Sequence, residues 1–337
     1  MINYCLKEKF EGCLVGGAVG DALGAPLEFL TREEIKANYG RVTDYVKALP
    51  KHPFYNFNPG QYTDDTQLTV ILAESILDQR IYRSKDFASK LSEFYKKGEF
   101  RSLGPTCREA CRKLSKGKST EESGVYRAEG VGAAMRAAPL GLYSGCKDHG
   151  SQSSLMSDCE ISTRITHDDY KAAAGTLAVA ASVVYLKNCD DLNVDDYLKS
   201  IENYVGHFEL VRRNKEECDE EFNKDGVANR LSKLIALKNI SYERGIKQIG
   251  NSGYVLEAVP AAIYAFIKSP EDFEKTVLNA VNNGGDADSI ASIAGALSGA
   301  YNGINAIPKR FIDKLENYEY IKSLADKLFE IGINKRL

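Results

Sequence analysis

The chain has 337 residues, 43% hydrophobic and 27% charged, with a formal net charge of −3. That supplies enough apolar material for a large core, and the slight negative balance excludes a global basic field for nucleic acid. No uninterrupted apolar run reaches the length of a bilayer span, and the eight cysteines, scattered and without a C-x-x-C pair, read as reduced thiols of a cytoplasmic protein.

Residues 8–24 read as a helix rich in small residues, among them Gly12, Gly16, Gly17, Gly20 and Gly24. Each glycine costs about 1 kcal/mol of helix propensity against alanine, so close approach of a neighbouring helix or of a ligand is expected there. The apolar run 13–27 is not expected to be a secretory leader, because Asp21 interrupts it. Asp21 is expected to bond the backbone of a turn, whereas Glu28, following Pro26, is less easily explained by capping. Residues 31–38 form a short helix with Thr31 as N-cap and Glu34 completing a capping box. Residues 40–62, with Pro50, Pro53 and Pro59 and no sustained period, are a long ordered loop.

That loop delivers the chain to Tyr62-Thr63-Asp64-Asp65-Thr66-Gln67, two adjacent carboxylates between hydroxyls. The run Leu68 to Leu77 follows, with Leu68, Ile71, Leu72, Ser75 and Ile76 on one helical face. Thr63 is the N-cap, and Asp64 and Asp65 fall in the first turn, where acids are stabilised by the helix dipole. Capping alone accounts for this stretch as readily as chemistry does.

Helices are expected over 84–97 and 106–115. Ser123 to Gly132 is a loop, with Gly124, Gly130 and Gly132, feeding a helix that begins at Ala133. Such a junction is a natural anion site, although a plain turn into a buried helix gives the same pattern. Residues 151–161 read as a polar-to-apolar lead-in. His167 stands beside Asp168 and Asp169 at the start of an alanine-rich helix ending near Tyr185; a hydrogen-bonded structural group is the commoner role of a lone histidine. Residues 190–237 are charged and mixed, with 212–224 a solvated face or surface insertion. Gly250 to Gly253 is a turn, and 254–267 an apolar helix that Pro260 is expected to kink.

A second acidic stretch, Asn282-Asn283-Gly284-Gly285-Asp286-Ala287-Asp288-Ser289, opens the apolar segment Ile290 to Leu297. If the two helix starts face each other, four carboxylates and two hydroxyls converge. Uncompensated, that cluster is repulsive; as a ligand set it suits hard divalent cations, Mg²⁺ first and Mn²⁺ second. A shared site would tie together motifs more than 200 residues apart, which favours one domain over 1–337. Nearly every periodic segment is helical, so the expected architecture is all-α, a compact single-domain orthogonal helical bundle with its site at helix N-termini and loops.

The set Gly12-to-Phe29, Thr63-Asp64-Asp65-Thr66, Gly130-to-Pro139 with Met135-Arg136, and Gly284-Gly285-Asp286-Ala287-Asp288-Ser289 resembles the ADP-ribosylglycohydrolase family. That family includes the dinitrogenase-reductase-activating glycohydrolases and the ADP-ribosylhydrolases; Ser162 to His167 adds a weaker match. The resemblance implies an all-α fold holding two Mg²⁺ ions, sometimes replaced by Mn²⁺. The implied ligands are Thr63, Asp64, Asp65, Asp286, Asp288 and Ser289. The family usually has Thr in place of Ser289, and Ser keeps the hydroxyl; it often has Thr or Cys in place of Ala287. Glu28 matches a glutamate near the metals and the scissile ribose. Gly130, Val131 and Gly132 match the loop that cradles the pyrophosphate, where many members carry Asn in place of Val131. His167 matches a histidine that contacts ligand, and Gly253 and Tyr254 are expected at the adenosine end.

The resemblance implies a metal-dependent hydrolase that removes ADP-ribose from modified protein side chains, arginine-linked ahead of serine-linked, or from small ADP-ribosyl conjugates. Asp65 and Glu28 are the candidates for steering or deprotonating the attacking water. The partners implied are ADP-ribose or an ADP-ribosylated protein, with no nucleic acid and no membrane. The alternatives are a non-catalytic ADP-ribose-binding or crystallin-like structural member, and a dimetal hydrolase of another nucleotide-like substrate.

Overall fold

A computed structural model of the chain describes residues 2–144, 152–213 and 225–334. Cys146, Cys218 and most of the charged stretch 212–224 lie outside the described residues. In chain order the helices are α1 (Ile2–Gly24), α2 (Arg32–Tyr39), α3 (Asp64–Gln79), α4 (Ser84–Lys97), α5 (Pro105–Ser115), α6 (Thr120–Ser123), α7 (Ala138–Tyr143), α8 (Gln152–Arg164) and α9 (Tyr170–Lys187). They continue as α10 (Val194–Arg213), α11 (Val227–Leu237), α12 (Tyr242–Ile249), α13 (Val255–Ile267), α14 (Phe273–Val281), α15 (Ala287–Asn302), α16 (Lys309–Ile312) and α17 (Tyr318–Asn334). The fold is all-α apart from one two-residue parallel pair, β1 (Val125–Tyr126) and β2 (His167–Asp168), in which Val125 faces His167.

The centre of the molecule is built from helices that are apolar on every side. Nearly all of α9 and α13 is buried, from Ala172 to Val183 on one and Val255 to Ile267 on the other, as expected of helices without a polar stripe. Amphipathic helices such as α4, against α3 and α5, and α10, against α9, lie outside them, each turning one apolar edge inward, for example Phe87 and Leu91 on α4.

The pair α1 and α15 fixes the site. Gly12, Gly16, Gly20 and Gly24 of α1 lie against Gly299, Gly295, Ala291 and Ala287 of α15. Each step of four residues along one helix is matched by four residues back along the other, so the helices are antiparallel and backbone touches backbone. A Cβ on Gly20 would stand 1.9 Å from the carbonyl oxygen of Ala291, and one on Gly295 2.1 Å from that of Gly16. The lost helix propensity is therefore exchanged for close packing along an i, i+4 ridge, and the neighbour anticipated from the glycines is α15. One consequence is topological: the C-terminus of α1 meets the N-terminus of α15.

Several local expectations differ from the structure. No helix starts at Ala133; Val131–Ala133 makes a single 3₁₀ turn and α7 begins at Ala138. Pro139 explains this, since it lacks the N–H that a helix running through it would need and is well placed in a first turn. Residues 152–161 are not a lead-in but part of α8, and the described residues of 190–237 hold two ordinary helices, α10 and α11, whose apolar positions include Tyr197, Ile201, Val205, Leu231 and Leu234. His167 does stand near the start of α9, as expected, but in an element of its own, β2.

Candidate active site

Three chain segments bring carboxylates to one place. Asp21, near the end of α1, is fully buried and accepts from the backbone N–H of Thr63 (2.9 Å) and of Thr66 (2.9 Å). It also accepts from the hydroxyls of Thr63 (2.9 Å) and Thr66 (2.6 Å). These contacts fasten the start of α3 to α1. Thr63 caps α3, its hydroxyl accepting from the Asp65 N–H, so that Asp64 and Asp65 open the helix beside Asp21.

The second junction joins Glu28 to the start of α15. The Phe29 N–H donates to Gly285 O, the Gly285 N–H donates to Leu30 O, and Thr31 forms a bridge with Gly284. Gly284 and Gly285 both have positive φ (69° and 71°). A Cβ on either would lie about 2 Å from a carbonyl oxygen, that of Leu30 for Gly284 and of Asn251 for Gly285. Only glycine fits this turn. Asn251 closes it from the other side: its carbonyl accepts from the Asp286 N–H and its amide donates to Asn283 O and Gly284 O. The result is a tight group in which carboxylate oxygens of Glu28, Asp286 and Asp288 lie within 4.8 Å of one another.

These acids face a cavity of about 410 Å³. Of the residues singled out from the sequence, Glu28, Asp64, Asp65, Gly130, Val131, Gly132, His167, Gly253, Asp286, Asp288 and Ser289 line it. Thr63 and Tyr254 are not in its wall. The Thr63 hydroxyl is turned to Asp21 and Asp65, and Tyr254 pairs with Gly130 in a bridge that holds the glycine loop against the 250–254 turn. In that bridge the Val131 N–H is committed to Gly253 O (2.9 Å), leaving Gly132 and Ala133 as the amides that open the 3₁₀ turn. Buried His167 lies under the loop and lines the same cavity, with its Nδ1 2.8 Å from the Thr166 hydroxyl.

The electrostatics are those of carboxylates without cations. None of Asp21, Glu28, Asp64, Asp65, Asp286 and Asp288 forms an ion pair among the described residues. Burial and, for most of them, mutual repulsion raise all six, Glu28 to about 9 and Asp64 to about 8. The four donors on Asp21 oppose the effect of burial on it. Asp65 Oδ1 is buried with no hydrogen-bond partner. An orphaned carboxylate oxygen inside an all-oxygen acidic cluster fits a hard divalent cation. Cys107 also lines the cavity, but burial pushes its thiol up to about 11, so it offers no thiolate to a softer metal.

The structure adds residues that sequence reasoning passed over. Phe29 lines the cavity beside Glu28, 65% exposed and at φ 65°, a backbone region rare for an aromatic residue; nothing in the sequence marks it. Asn251 and Thr166 are equally silent. Arg136, quoted only as part of a motif, proves to be fully buried behind the glycine loop.

Comparison with known proteins gives this arrangement its context. The sequence model of the ADP-ribosylglycohydrolase family matches residues 4–336. An uncharacterised protein of Archaeoglobus fulgidus is 36% identical over 326 residues, covering 97% of each chain. The ADP-ribosylarginine hydrolase Tri1 of Serratia proteamaculans is 30% identical over 329 residues, 96% of this chain and 79% of its own. A solved structure titled ADP-ribosylglycohydrolase-related protein complex superposes with a TM-score of 0.71 at 27% identity, covering 97% of this chain and 99% of that one. With the family's sequence model spanning almost its whole length and a family structure matching its fold, the chain belongs to the ADP-ribosylglycohydrolase family.

Proposed function

We propose that this protein is a divalent-metal-dependent hydrolase that removes ADP-ribose from modified protein side chains, with the arginine linkage preferred. The observation that carries the reading is the convergence of unpaired acids from the segment after α1 and from the starts of α3 and α15 on a cavity that a glycine loop and a neutral histidine also line. Family membership supports the removal of ADP-ribose. The arginine preference draws on the relative named as an ADP-ribosylarginine hydrolase.

Two cations, Mg²⁺ with Mn²⁺ as substitute, would be held by Asp64, Asp65, Asp286 and Asp288 with the hydroxyls of Thr63 and Ser289. Glu28 stands close enough to Asp286 and Asp288 to share that task. When bound, such ions compensate the cluster's charge, orient ribose hydroxyls and make a nearby water more acidic. The chain's residues do the rest. Asp65, which lines the cavity and keeps Oδ1 without a hydrogen-bond partner, takes the proton of the attacking water; Glu28, on the cavity wall, steers that water. Gly130, Val131 and Gly132 with His167 hold the diphosphate, the amides of the 3₁₀ turn serving where Val131 offers no side-chain donor. Gly253 and Tyr254 back the loop from the adenosine side. Cleavage builds oxocarbenium character at the ribose C1, which surrounding carboxylates stabilise. An arginine-linked substrate leaves as a neutral guanidine from a cationic bond and asks little of a general acid. A cytoplasmic setting accords with the six free cysteines among the described residues.

Release of ADP-ribose from arginine-linked and serine-linked peptides, with Mg²⁺ and with chelator, tests the proposal. Mg²⁺-dependent release, faster from arginine, is the expected outcome. Faster release from serine would overturn the linkage preference, and no release from either would overturn the hydrolase reading.

A further inference from the structure

Arg136 is the largest fully buried side chain among the described residues, and no carboxylate pairs with it there. Its guanidinium donates to Gly132 O (2.8 Å), to Ser162 O (3.1 Å) and to the Thr166 hydroxyl (2.8 Å), and lies 5.4 Å from the centre of the Phe87 ring. Burying an unpaired cation is costly, and its position directly behind the glycine loop calls for an explanation.

The hydrogen bonds supply one. The Thr166 oxygen accepts from Arg136 and has one proton of its own to give. Two acceptors are in range: His167 Nδ1 at 2.8 Å and Thr163 O at 3.4 Å. The short contact takes the proton, and the longer one is at the limit of a hydrogen bond. An imidazole that accepts at Nδ1 carries its proton on Nε2. That nitrogen faces the loop: Cβ atoms added to Gly130 and Gly132 would stand 3.4 Å and 3.2 Å from it. At the same time Arg136 holds the Gly132 carbonyl toward itself, which turns the N–H of the same trans peptide, that of Ala133, the opposite way.

We infer that Arg136 and Thr166 are positioning residues that fix His167 as the Nε2–H tautomer, so that the site presents a neutral donor backed by a buried positive charge to a phosphate of ADP-ribose. The inference rests on the proposed function for the identity of the anion, and on the hydrogen-bond chain alone for the tautomer. Burial and the Arg136 charge push His167 down to about 3, so the ring stays neutral and the relay does not change with physiological pH. A bound diphosphate supplies the negative charge that Arg136 lacks among the described residues.

Nitrogen-15 NMR of the imidazoles reads the tautomer directly. The four histidines are His52, His149, His167 and His207, and His167→Gln identifies the signals of interest. The wild type is expected to show the Nε2–H pattern. Thr166→Val should mix the tautomers and weaken ADP-ribose binding about 10-fold, the worth of one hydrogen bond, while Thr166→Ser restores both. An Nδ1–H pattern in the wild type, or a Thr166→Val protein with unchanged tautomer and affinity, would overturn the inference. Should Thr166→Val not fold, the spectra of the wild type and Thr166→Ser decide, since Nδ1–H in either contradicts the relay. Wild-type protein with the Nε2–H pattern and no affinity for ADP-ribose would instead sink the proposed function and the phosphate contact, leaving the tautomer assignment standing.

Discussion

Asp21 accepts from the amides and hydroxyls of both Thr63 and Thr66, and in doing so decides where Asp64 and Asp65 stand. An asparagine of the same shape has one acceptor oxygen instead of two and turns an N–H₂ toward donors. Asp21→Asn should therefore destabilise the fold by about 2 kcal/mol, the cost of buried donors left unmatched, and reduce ADP-ribose release through a displaced α3 start. Denaturant unfolding and the release assay check both effects; unchanged stability would show that the Asp21 contacts do not hold α3. Asp21 was legible in the sequence because it breaks an apolar run, and the expectation that it bonds backbone fits the structure. The motif acids were legible through the hydroxyls and glycines around them. Phe29 and Asn251 were not, since their roles depend on a left-handed backbone and on a turn 32 residues away that no local pattern encodes.

At the scale of elements, the contact between α1 and α15 carries the geometry. Both sides of the acidic cluster hang on it, Asp21 and Glu28 from one helix end and Asp286 and Asp288 from the other. A methyl group at Gly20 would enter the Ala291 carbonyl, so Gly20→Ala should cost about 3 kcal/mol or more and lose activity with it. Gly104→Ala is the control. Its Cβ would meet nothing within 4 Å and its φ is −57°, so its stability should change by less than about 0.5 kcal/mol. Equal melting curves for the two variants would contradict close packing along the ridge. Elements with strong local signals were readable: α4 spans the residues expected, and α2 carries the capping box of Thr31 and Glu34. Elements set by tertiary context were not. The Ala133–Ala138 segment has the composition of a helix, yet the 3₁₀ turn ends at Ala133 and α7 begins only at Ala138, with Pro139 in its first turn. In α10 and α11 the charges of the outer face obscured an apolar edge that only the packing against α9 makes evident.

For the whole molecule, the acids predict how stability depends on pH. Glu28 and Asp64 titrate near 9 and 8 in the folded chain, against ordinary values of 4.5 and 3.8. The folded state therefore binds more protons than the unfolded state between about pH 4 and 9, and their contribution to stability falls as pH rises through that window. In chelator, Tm should drop by at least about 3 °C from pH 6 to 8.5, and Glu28→Gln should flatten the decline. Mg²⁺ should raise Tm more at pH 8.5 than at pH 6, where protons compete for the same oxygens. An identical slope in Glu28→Gln would contradict the assignment. That helices so distant in sequence meet here was foreseeable only as a condition on the two acidic motifs; the glycine ridge and the Asp21 contacts are what bring it about.

Calorimetric titration of ADP-ribose into wild-type protein and Asp286→Ala, with Mg²⁺ and with chelator, asks whether both acidic motifs and the cavity form one site. Tight binding to the wild type with Mg²⁺ is expected, and a loss of at least about 10-fold on adding chelator or on replacing Asp286. Binding of equal strength in all four titrations would contradict it, because the acids of α3 and α15 would then form no common metal site with the ADP-ribose cavity.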